Sequence, residues 1–309
     1  MFINKSKKTD LRSLSYSSRR LGWITVRVLI LAGLCFEIVY PFFTKLMQAF
    51  MSTSDLTNPT VKLYPLEWNL SRITETISLI RYPASFMNSL IISLLMAAIQ
   101  LVVCPLIGYG FARFRFRGRN LLFAMVIITL VIPSQLYSTS TFLYFKYFGP
   151  MQTSLIGTIW PFAILAFTGM GMKNGLYIFL MRQFFRSLPK ELEDAAYIDG
   201  SGLFNTYLKV ILPNARNMLI SIFVLTFSWQ WTDYFNSSVF LGINRFITLP
   251  LALINNIQEI KTGGTFIGPI VYAVQRNTAS LLIMLPLLIM FGFFQKRIIS
   301  GIERSGIVE

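Results

Sequence analysis

The chain has 309 residues, of which 54% are hydrophobic and only 13% are charged, and its mean hydropathy is +0.59. This composition is typical of a polytopic membrane protein. The absence of histidine excludes histidine general bases, histidine metal ligands and Ser-His-Asp triads. A GxxxxGK[ST] phosphate loop is also absent, so the chain is not itself a P-loop ATPase. We therefore expect no catalytic site, metal site or cofactor.

Long apolar runs predict six membrane crossings, because about 20 apolar residues are needed to cross roughly 30 Å of hydrocarbon. The predicted spans are residues 22–46, 83–110, 120–141, 154–182, 215–240 and 276–295. They divide the chain into an N-terminal segment (1–21), a six-helix transmembrane domain (22–297) that contains a polar loop (187–213), and a C-terminal tail (298–309). The predicted fold class is an all-α integral membrane protein.

The basic residues predict how this bundle is oriented. They concentrate in the N-terminal segment, in the loop Arg113–Arg119, in the polar loop with its flanks, and in the C-terminal tail, whereas segment 47–82 on the opposite side is nearly balanced. The positive-inside rule then places both termini and the polar loop in the cytoplasm. The net charge of +15 indicates topology and not nucleic-acid binding.

Residues 111–119 alternate arginine and phenylalanine and allow two interpretations. Such a pattern could stack on single-stranded nucleic acid. It could also form a short cytoplasmic loop whose arginines contact anionic headgroups while its phenylalanines lie at the interface. Because predicted spans flank the segment on both sides, we favour the loop and expect no nucleic-acid partner.

The polar loop 187–213 has the pattern of two helices joined by a turn. Ser187 suits an N-cap and Pro189 suits a first helical turn. Acidic side chains follow near the positive end of the helix dipole, at Glu191, Glu193 and Asp194. Asp199-Gly200 predicts a turn, and Ser201 is the predicted cap of the second helix. The loop could rest on lipid as an interfacial helix, but its acidic residues favour docking to a protein.

The spacing within this loop resembles the EAA motif of ABC importer permeases, which reads EAA, three residues, G, nine residues, I, any residue, L, P. Here Asp194-Ala195-Ala196, Gly200 and Val210-Ile211-Leu212-Pro213 stand at those positions. The resemblance implies that the segment is a coupling helix that docks into a groove of a cytoplasmic ATPase. The positions carried over are Glu191, Asp194, Ala195, Ala196, Asp199 and Gly200. The family usually has glutamate where this chain has Asp194.

The resemblance covers nearly the whole chain and narrows to the carbohydrate, maltose-type branch of the family. The matching segments are Pro65–Trp68, Phe86–Ile91, Arg182–Phe185 and the tail from Gln295 to Gly301. This resemblance implies a type I ABC importer permease fold in a bacterial plasma membrane, the inner membrane where there are two. It implies three partners: a cytoplasmic ABC ATPase dimer, a second homologous permease that completes a heterodimer, and an extracytoplasmic solute-binding protein.

Polar residues inside the predicted spans are candidates for a substrate path, because burying a lone charge in hydrocarbon is expensive. Glu37, Lys173 and Asp233 are such residues, and aromatic side chains surround Asp233, namely Trp229, Trp231 and Tyr234. Aromatic faces beside a carboxylate suit sugar rings, so Lys173, Trp229 and Asp233 are the predicted substrate-path residues. Two alternatives stay open: an interfacial aromatic belt and an ion pair between Lys173 and Asp233.

These observations favour the permease of an ATP-driven importer, which moves sugars or oligosaccharides by alternating access while a partner subunit hydrolyses ATP. Within this class, the cargo could instead be an amino acid, a peptide or an anion. An ion-driven secondary carrier is a second class, but such carriers usually have inverted repeats and would give the polar loop no role. A membrane-embedded enzyme would need polar catalytic clusters.

Overall fold

The computed structural model of the protein describes residues 6–242, 246–258 and 268–303, which form helices and loops without a β-strand. The helices are α1 (Ser6–Ala49), α2 (Thr53–Thr57), α3 (Ser71–Leu79), α4 (Tyr82–Arg113), α5 (Arg119–Val131), α6 (Ser134–Lys146), α7 (Trp160–Phe167), α8 (Asn174–Ser187), α9 (Glu191–Ile198), α10 (Leu203–Thr206), a π-helical turn (Tyr207–Ile211), α11 (Leu212–Asn214), α12 (Arg216–Trp231), α13 (Phe235–Phe240), α14 (Leu249–Gln258) and α15 (Gly268–Glu303). The predicted all-α class is confirmed.

Helix α4 is central to the packing and contacts α7, α8, α12 and α14. Its buried face carries small polar residues, including Ser85, Ser89 and Ser93, which allow neighbouring helices to approach closely. The Ser89 hydroxyl accepts a hydrogen bond of 2.8 Å from the backbone N–H of Leu249 at the start of α14. Helix α15 packs against α12, and α1 packs against α15.

Among the described residues, three helices are long and apolar enough to cross a membrane: Leu21–Ala49, Tyr82–Arg113 and Gly268–Ile299. They contain the first, second and sixth predicted spans and extend beyond each of them. No residue in the most apolar stretch of Leu21–Ala49 is buried against the rest of the chain. Its surface is therefore available to lipid or to another subunit.

The third predicted span, 120–141, is not a single helix. It corresponds to α5 and α6, which meet at an angle of 102°. Pro133 causes the break, because proline lacks a backbone N–H and disfavours helical geometry at the residue before it. Ile132 is accordingly extended, with ψ 117°.

The fourth predicted span, 154–182, was wrong as a continuous helix. It contains α7, a loop at 168–173 and the first part of α8. Gly169 (φ 78°) and Lys173 (φ 59°) adopt left-handed backbone conformations in that loop, which a helix cannot accommodate.

The fifth predicted span, 215–240, is also divided, because α12 ends at Trp231 before α13 begins. If each bent pair of helices crosses once, up to five crossings follow from length and composition, and the total of six stays a prediction.

Gly108 lies where α4 crosses α8. A Cβ atom at Gly108 would lie 2.7 Å from Met181 Cβ and 3.2 Å from the Ile178 carbonyl oxygen, whereas a Cβ atom at Gly110 would meet nothing within 4 Å. We predict that Gly108→Ala lowers the stability of the purified chain by about 1–3 kcal/mol through overpacking. Gly110→Ala is the matched control and should be neutral or stabilising by up to about 1 kcal/mol. Thermal unfolding in detergent measures both variants, and equal melting temperatures would contradict the close crossing.

Candidate functional site

The polar loop places helix α9 and a glycine turn at the surface. Helix α9 ends in a Schellman motif, in which the N–H of Gly200 bonds to the Tyr197 carbonyl (3.0 Å) and the N–H of Ser201 bonds to the Ala196 carbonyl (2.9 Å). Gly200 has φ 78°, a conformation that glycine adopts without steric cost. The predicted turn at Asp199-Gly200 is therefore the C-terminal cap of α9.

The starts of the two loop helices differ from the sequence prediction. Ser187 is the last residue of α8 and donates its hydroxyl to the Phe184 carbonyl, so it is not the cap of α9. Helix α9 begins at Glu191, and α10 follows Gly202 without a side-chain cap. The π turn from Tyr207 to Ile211 buries Tyr207 and Ile211, while Leu203 stays exposed.

Five of the six predicted coupling residues lie on the exposed surface of this loop. They are Glu191, Asp194, Ala195, Asp199 and Gly200. Ala196 instead is buried beneath the helix, with 8% of its surface exposed. Large apolar side chains stand exposed beside the acidic ones: Ile198 is 86% exposed and Phe204 is 66% exposed. We call this surface, formed by the five exposed residues with Ile198, Leu203 and Phe204, the coupling surface.

An ion pair attaches α9 to the helix bundle. The Arg113 Nε donates to Glu193 Oε1 at 2.8 Å, and both side chains are about nine-tenths buried. Arg113 also donates from a terminal nitrogen to the Leu188 carbonyl at 3.0 Å. The prediction that this arginine contacts lipid headgroups was wrong, because the guanidinium faces inward. Sequence reasoning assigned Glu193 only to the helix dipole, since no local signal indicates a partner 80 residues away.

An aromatic cluster fills the space between α4, the end of α8 and the π turn. The Tyr109 ring lies 5.6 Å from the Phe185 ring and 5.0 Å from the Tyr207 ring, centroid to centroid. Burial raises the pKa of Tyr207 to about 12, so this side chain is neutral at physiological pH. The cluster and the ion pair together give α9 a rigid support on the end of α4.

A cavity of about 610 Å³ occupies the region where the predicted third, fourth and fifth spans are interrupted. Its walls come from the α5–α6 bend, the loop between α7 and α8, and the junction of α12 and α13, with Met96 and Gln100 of α4 between them. All three predicted substrate-path residues, Lys173, Trp229 and Asp233, line it. The structure thus brings together residues that are up to 60 positions apart, while a contact with a solute stays a prediction.

Lys173 and Asp233 have different partners in this cavity and do not pair with each other. The Lys173 ammonium lies 4.8 Å from the centroid of the Trp229 ring, a cation–π geometry. The Asp233 carboxylate accepts hydrogen bonds from both the backbone and the side chains of Asn236 and Ser237, at 2.8–3.2 Å. The structure shows no ion pair between Lys173 and Asp233, so that alternative is wrong. Asp233 caps the start of α13.

The other aromatic candidates near Asp233 lie outside the cavity lining. Trp231 is buried and donates its indole N–H to the Ile283 carbonyl at 3.0 Å. Its ring packs against Phe86 and Phe227, so its role is structural. Tyr234 is exposed and does not line the cavity.

Three amide side chains at the cavity were missed by sequence reasoning. Gln100, Asn174 and Gln230 line the cavity and are at least 94% buried. Gln100 and Asn174 each donate a hydrogen bond from the amide nitrogen to a backbone carbonyl. Their side-chain oxygens have no hydrogen-bond partner in the protein, and the side-chain nitrogen of Gln230 has none either. The sequence signal that could have identified them is the position of each amide side chain inside a predicted span. Within the described ranges, His, Cys, Asp and Glu side chains form no group of three that could hold a metal ion.

Comparison with known proteins identifies the family. The family described as "Binding-protein-dependent transport system inner membrane component" matches residues 105–303, which is more than half of the chain. The chain belongs to this family of membrane permease subunits. The resemblance to ABC importer permeases is therefore confirmed.

Individual relatives agree with this assignment. The maltodextrin transport system permease protein MalD of Streptococcus pneumoniae is 27% identical over 289 residues, covering 90% of this chain and 93% of MalD. The diacetylchitobiose uptake system permease protein NgcG of Streptomyces coelicolor is 28% identical, covering 95% of this chain and 91% of NgcG. The crystal structure of a bacterial ABC transporter that imports alginate contains a chain of the same fold, with a TM-score of 0.70, 21% identity and coverage of 91% and 97%. The predicted permease fold is confirmed.

The ion pair between α4 and α9 generates a testable prediction. Arg113→Met or Glu193→Met alone leaves an uncompensated buried charge, so each should lower the stability of the purified chain by about 3–5 kcal/mol. The double variant Arg113→Met/Glu193→Met removes both charges and should be clearly more stable than either single variant. Thermal unfolding of all four proteins in one detergent completes the double-mutant cycle. Strictly additive losses would show that the two charges are not coupled.

Proposed function

We propose that this chain is a translocation subunit of an ATP-driven, binding-protein-dependent importer for sugars or oligosaccharides. It is not itself an enzyme, since ATP hydrolysis would reside in a separate cytoplasmic ATPase. The observation that carries this proposal is the exposed coupling surface on a helix that is tied to α4 by the buried Arg113–Glu193 pair. Family membership supports the same function.

Helix α4 offers a direct mechanical connection from the coupling surface to the cavity. Arg113 is the last residue of α4, and Gln100 of the same helix lines the cavity. At 1.5 Å per residue, a displacement at Arg113 is transmitted along roughly 20 Å of continuous helix. Closure of the ATPase would push on α9, and the ion pair would pass this movement to α4. Such a movement alters the cavity walls, which is what alternating access requires.

The coupling surface combines acidic and apolar side chains. Glu191, Asp194 and Asp199 would face basic groups at the rim of an ATPase groove, while Ile198 and Phe204 would enter its apolar centre. Large apolar anchors surrounded by polar groups are typical of protein interfaces. An interfacial helix on lipid is less favoured, because its acidic face would approach anionic headgroups.

The cavity suits a polyhydroxylated solute. Trp229 is 45% exposed and presents an aromatic face, and the Lys173 ammonium beside it can donate hydrogen bonds to hydroxyl groups. The names of MalD and NgcG indicate transport of maltodextrin and diacetylchitobiose, which favours carbohydrate over an amino acid, a peptide or an inorganic anion. Asp233 is proposed to shape the wall and not to bind solute directly.

The remaining parts of the proposal concern topology and assembly. Residues 1–21 and 298–309 would form cytoplasmic ends around a transmembrane domain at 22–297 in a bacterial plasma membrane. A second, homologous permease would complete a heterodimeric pore, and an extracytoplasmic solute-binding protein would deliver the cargo. An ion-driven carrier is the alternative, but it leaves the coupling surface without a partner.

The coupling surface is tested by introducing a charge at its apolar centre. Ile198→Glu and Phe204→Glu should each weaken co-purification of the partner ATPase by about 30-fold, the loss typical of an interface anchor, while the permease still inserts into the membrane. Met151→Glu is the matched control, because Met151 is 90% exposed and lies outside the coupling surface. ATPase retention on the tagged permease is measured by quantitative mass spectrometry. Equal retention for all three variants would contradict the docking assignment.

The role of the cavity is tested at Lys173, which has a left-handed backbone conformation. Because glycine adopts this conformation readily, replacing Lys173 with glycine removes the side chain without destabilising the fold. Lys173→Gly relieves the backbone cost of φ 59°, about 1–2 kcal/mol, and should leave the protein as stable or more stable. It should nevertheless lower sugar uptake severalfold, because the ammonium is lost. Gln152→Gly relieves a similar conformation (φ 49°) outside the cavity and should leave uptake unchanged. Sugar uptake by both variants is measured in proteoliposomes that contain the assembled transporter. Normal uptake by Lys173→Gly would exclude Lys173 from the solute path.

A further inference from the structure

A second concavity lies at the end of the bundle next to α9. It has a volume of about 310 Å³ and is formed by the end of α4, the α4–α5 loop and the segment from the end of α8 to the start of α9. Six of its eight lining residues are basic: Arg113, Arg115, Arg119, Arg182, Arg186 and Lys190. We call it the arginine pocket.

The arginine pocket carries an uncompensated positive charge. Arg113 is neutralised by Glu193, but the lining contains no acidic residue for the other five basic side chains. Arg119, Arg182 and Arg186 line this one concavity together, so their positive charges are held close to one another. Holding like charges around one concave space raises the energy of the folded chain. A bound anion would remove that cost.

Arg182 is held in place to receive such an anion. Its guanidinium carbon lies 3.9 Å from the centroid of the Phe123 ring, a stacked arrangement that fixes the orientation of the guanidinium plane. Its Nε is buried and has no hydrogen-bond partner within the protein. Because Arg182 lines the pocket, its planar guanidinium is placed to meet phosphate oxygens, whose geometry it matches.

The surroundings of the pocket indicate where the phosphate comes from. Exposed apolar side chains border it, with Phe114 42% exposed, Phe116 45% exposed and Leu121 63% exposed. Arg115 and Arg119 also line a neighbouring concavity of about 270 Å³ that includes Phe116 and Leu121. A ligand that places phosphate in the pocket and hydrocarbon on these side chains is a phospholipid.

We propose that the arginine pocket binds the phosphate of an anionic phospholipid from the leaflet on the α9 side of the membrane. The lipid joins the α4–α5 loop to the end of α8 through one headgroup. Lys190, which lines the pocket, immediately precedes α9, so the bound lipid also restrains the beginning of the coupling helix. This site is independent of the identity of the transported solute and of the ATPase.

The proposal is tested by lipid titration of the full-length chain in detergent, followed by native mass spectrometry. The probes are palmitoyl-oleoyl phosphatidylglycerol, the matching phosphatidylcholine and inorganic phosphate. The pocket variant is Arg119→Gln/Arg186→Gln. The matched control is Arg117→Gln/Lys209→Gln, which removes the same charge at two exposed residues that do not line the pocket.

Phosphatidylglycerol should bind the unmodified chain more tightly than either other probe. The pocket variant should lose about 30-fold in affinity, because each basic residue near an anionic headgroup contributes a factor of about five, and the control should lose little. Equal losses in both variants would show general charge attraction and overturn the proposal. Phosphate binding as tight as that of phosphatidylglycerol would show a small-anion site and overturn the lipid assignment.

Two further measurements keep the test decisive if the pocket variant unfolds or if a protein fills the pocket. A photoreactive phosphatidylglycerol should label residues 111–119 and 182–190 of the unmodified chain, and labelling elsewhere alone would overturn the proposal. Loss of ATPase co-purification by the pocket variant, with lipid binding unchanged, would assign the pocket to an acidic protein surface. The Ile198→Glu variant should retain its lipid, so failure of the docking proposal and failure of this one are distinguishable.

Discussion

The buried pair between Arg113 and Glu193 is the interaction on which the functional organisation of this chain depends. A buried ion pair contributes little net stability compared with a well-packed apolar contact, but it is costly to break. The pair therefore fixes the position of α9 relative to α4 more than it adds to the overall stability of the chain. The aromatic cluster of Tyr109, Phe185 and Tyr207 packs at the same end of α4 and adds apolar contacts to this junction. An amphipathic surface helix thus becomes part of the same rigid unit as the most central helix of the bundle.

The cavity exists because three apolar segments do not continue as helices. Pro133 turns the chain between α5 and α6, the left-handed residues Gly169 and Lys173 separate α7 from α8, and Asp233 ends the helical run after Trp231 by capping α13. Each interruption frees backbone groups that hydrocarbon cannot satisfy, so irregular backbone is tolerated at membrane depth only where it lines a polar space or is covered by protein. The interruptions converge on one region, where Gln100, Lys173, Asn174, Gln230 and Asp233 line the cavity. Packing around a continuous α4 holds these pieces together.

The sequence was informative where the determinants are local. The Asp199-Gly200 turn signal located the C-terminal end of α9 correctly, whereas the predicted start near Ser187 was wrong. Hydropathy averaged over a long window did not detect the break at Pro133, although the proline itself was visible. Pairing between Arg113 and Glu193, or between Lys173 and Trp229, could not be derived, because tertiary contacts join residues far apart in the chain. Lys173 was still identified as a candidate, since a charge inside a membrane segment is costly. Trp229 was identified because it stands close to Asp233 in the sequence and an aromatic face beside a carboxylate suits a sugar ring.

The π turn from Tyr207 to Ile211 constrains the number of residues in the polar loop. Its closing hydrogen bond runs from the Leu212 N–H to the Tyr207 carbonyl, so the turn holds one residue more than an α-helical turn. Each residue of an α-helix rotates the chain by about 100°, and α12 leaves this segment at a bend of 77°, so the additional residue sets the direction in which α12 points. Deletion of a single residue here would restore α-helical geometry but turn α12 towards a different direction. The orientation of α12 relative to the surface helix therefore depends on the number of residues in the turn, whichever side chains those residues carry.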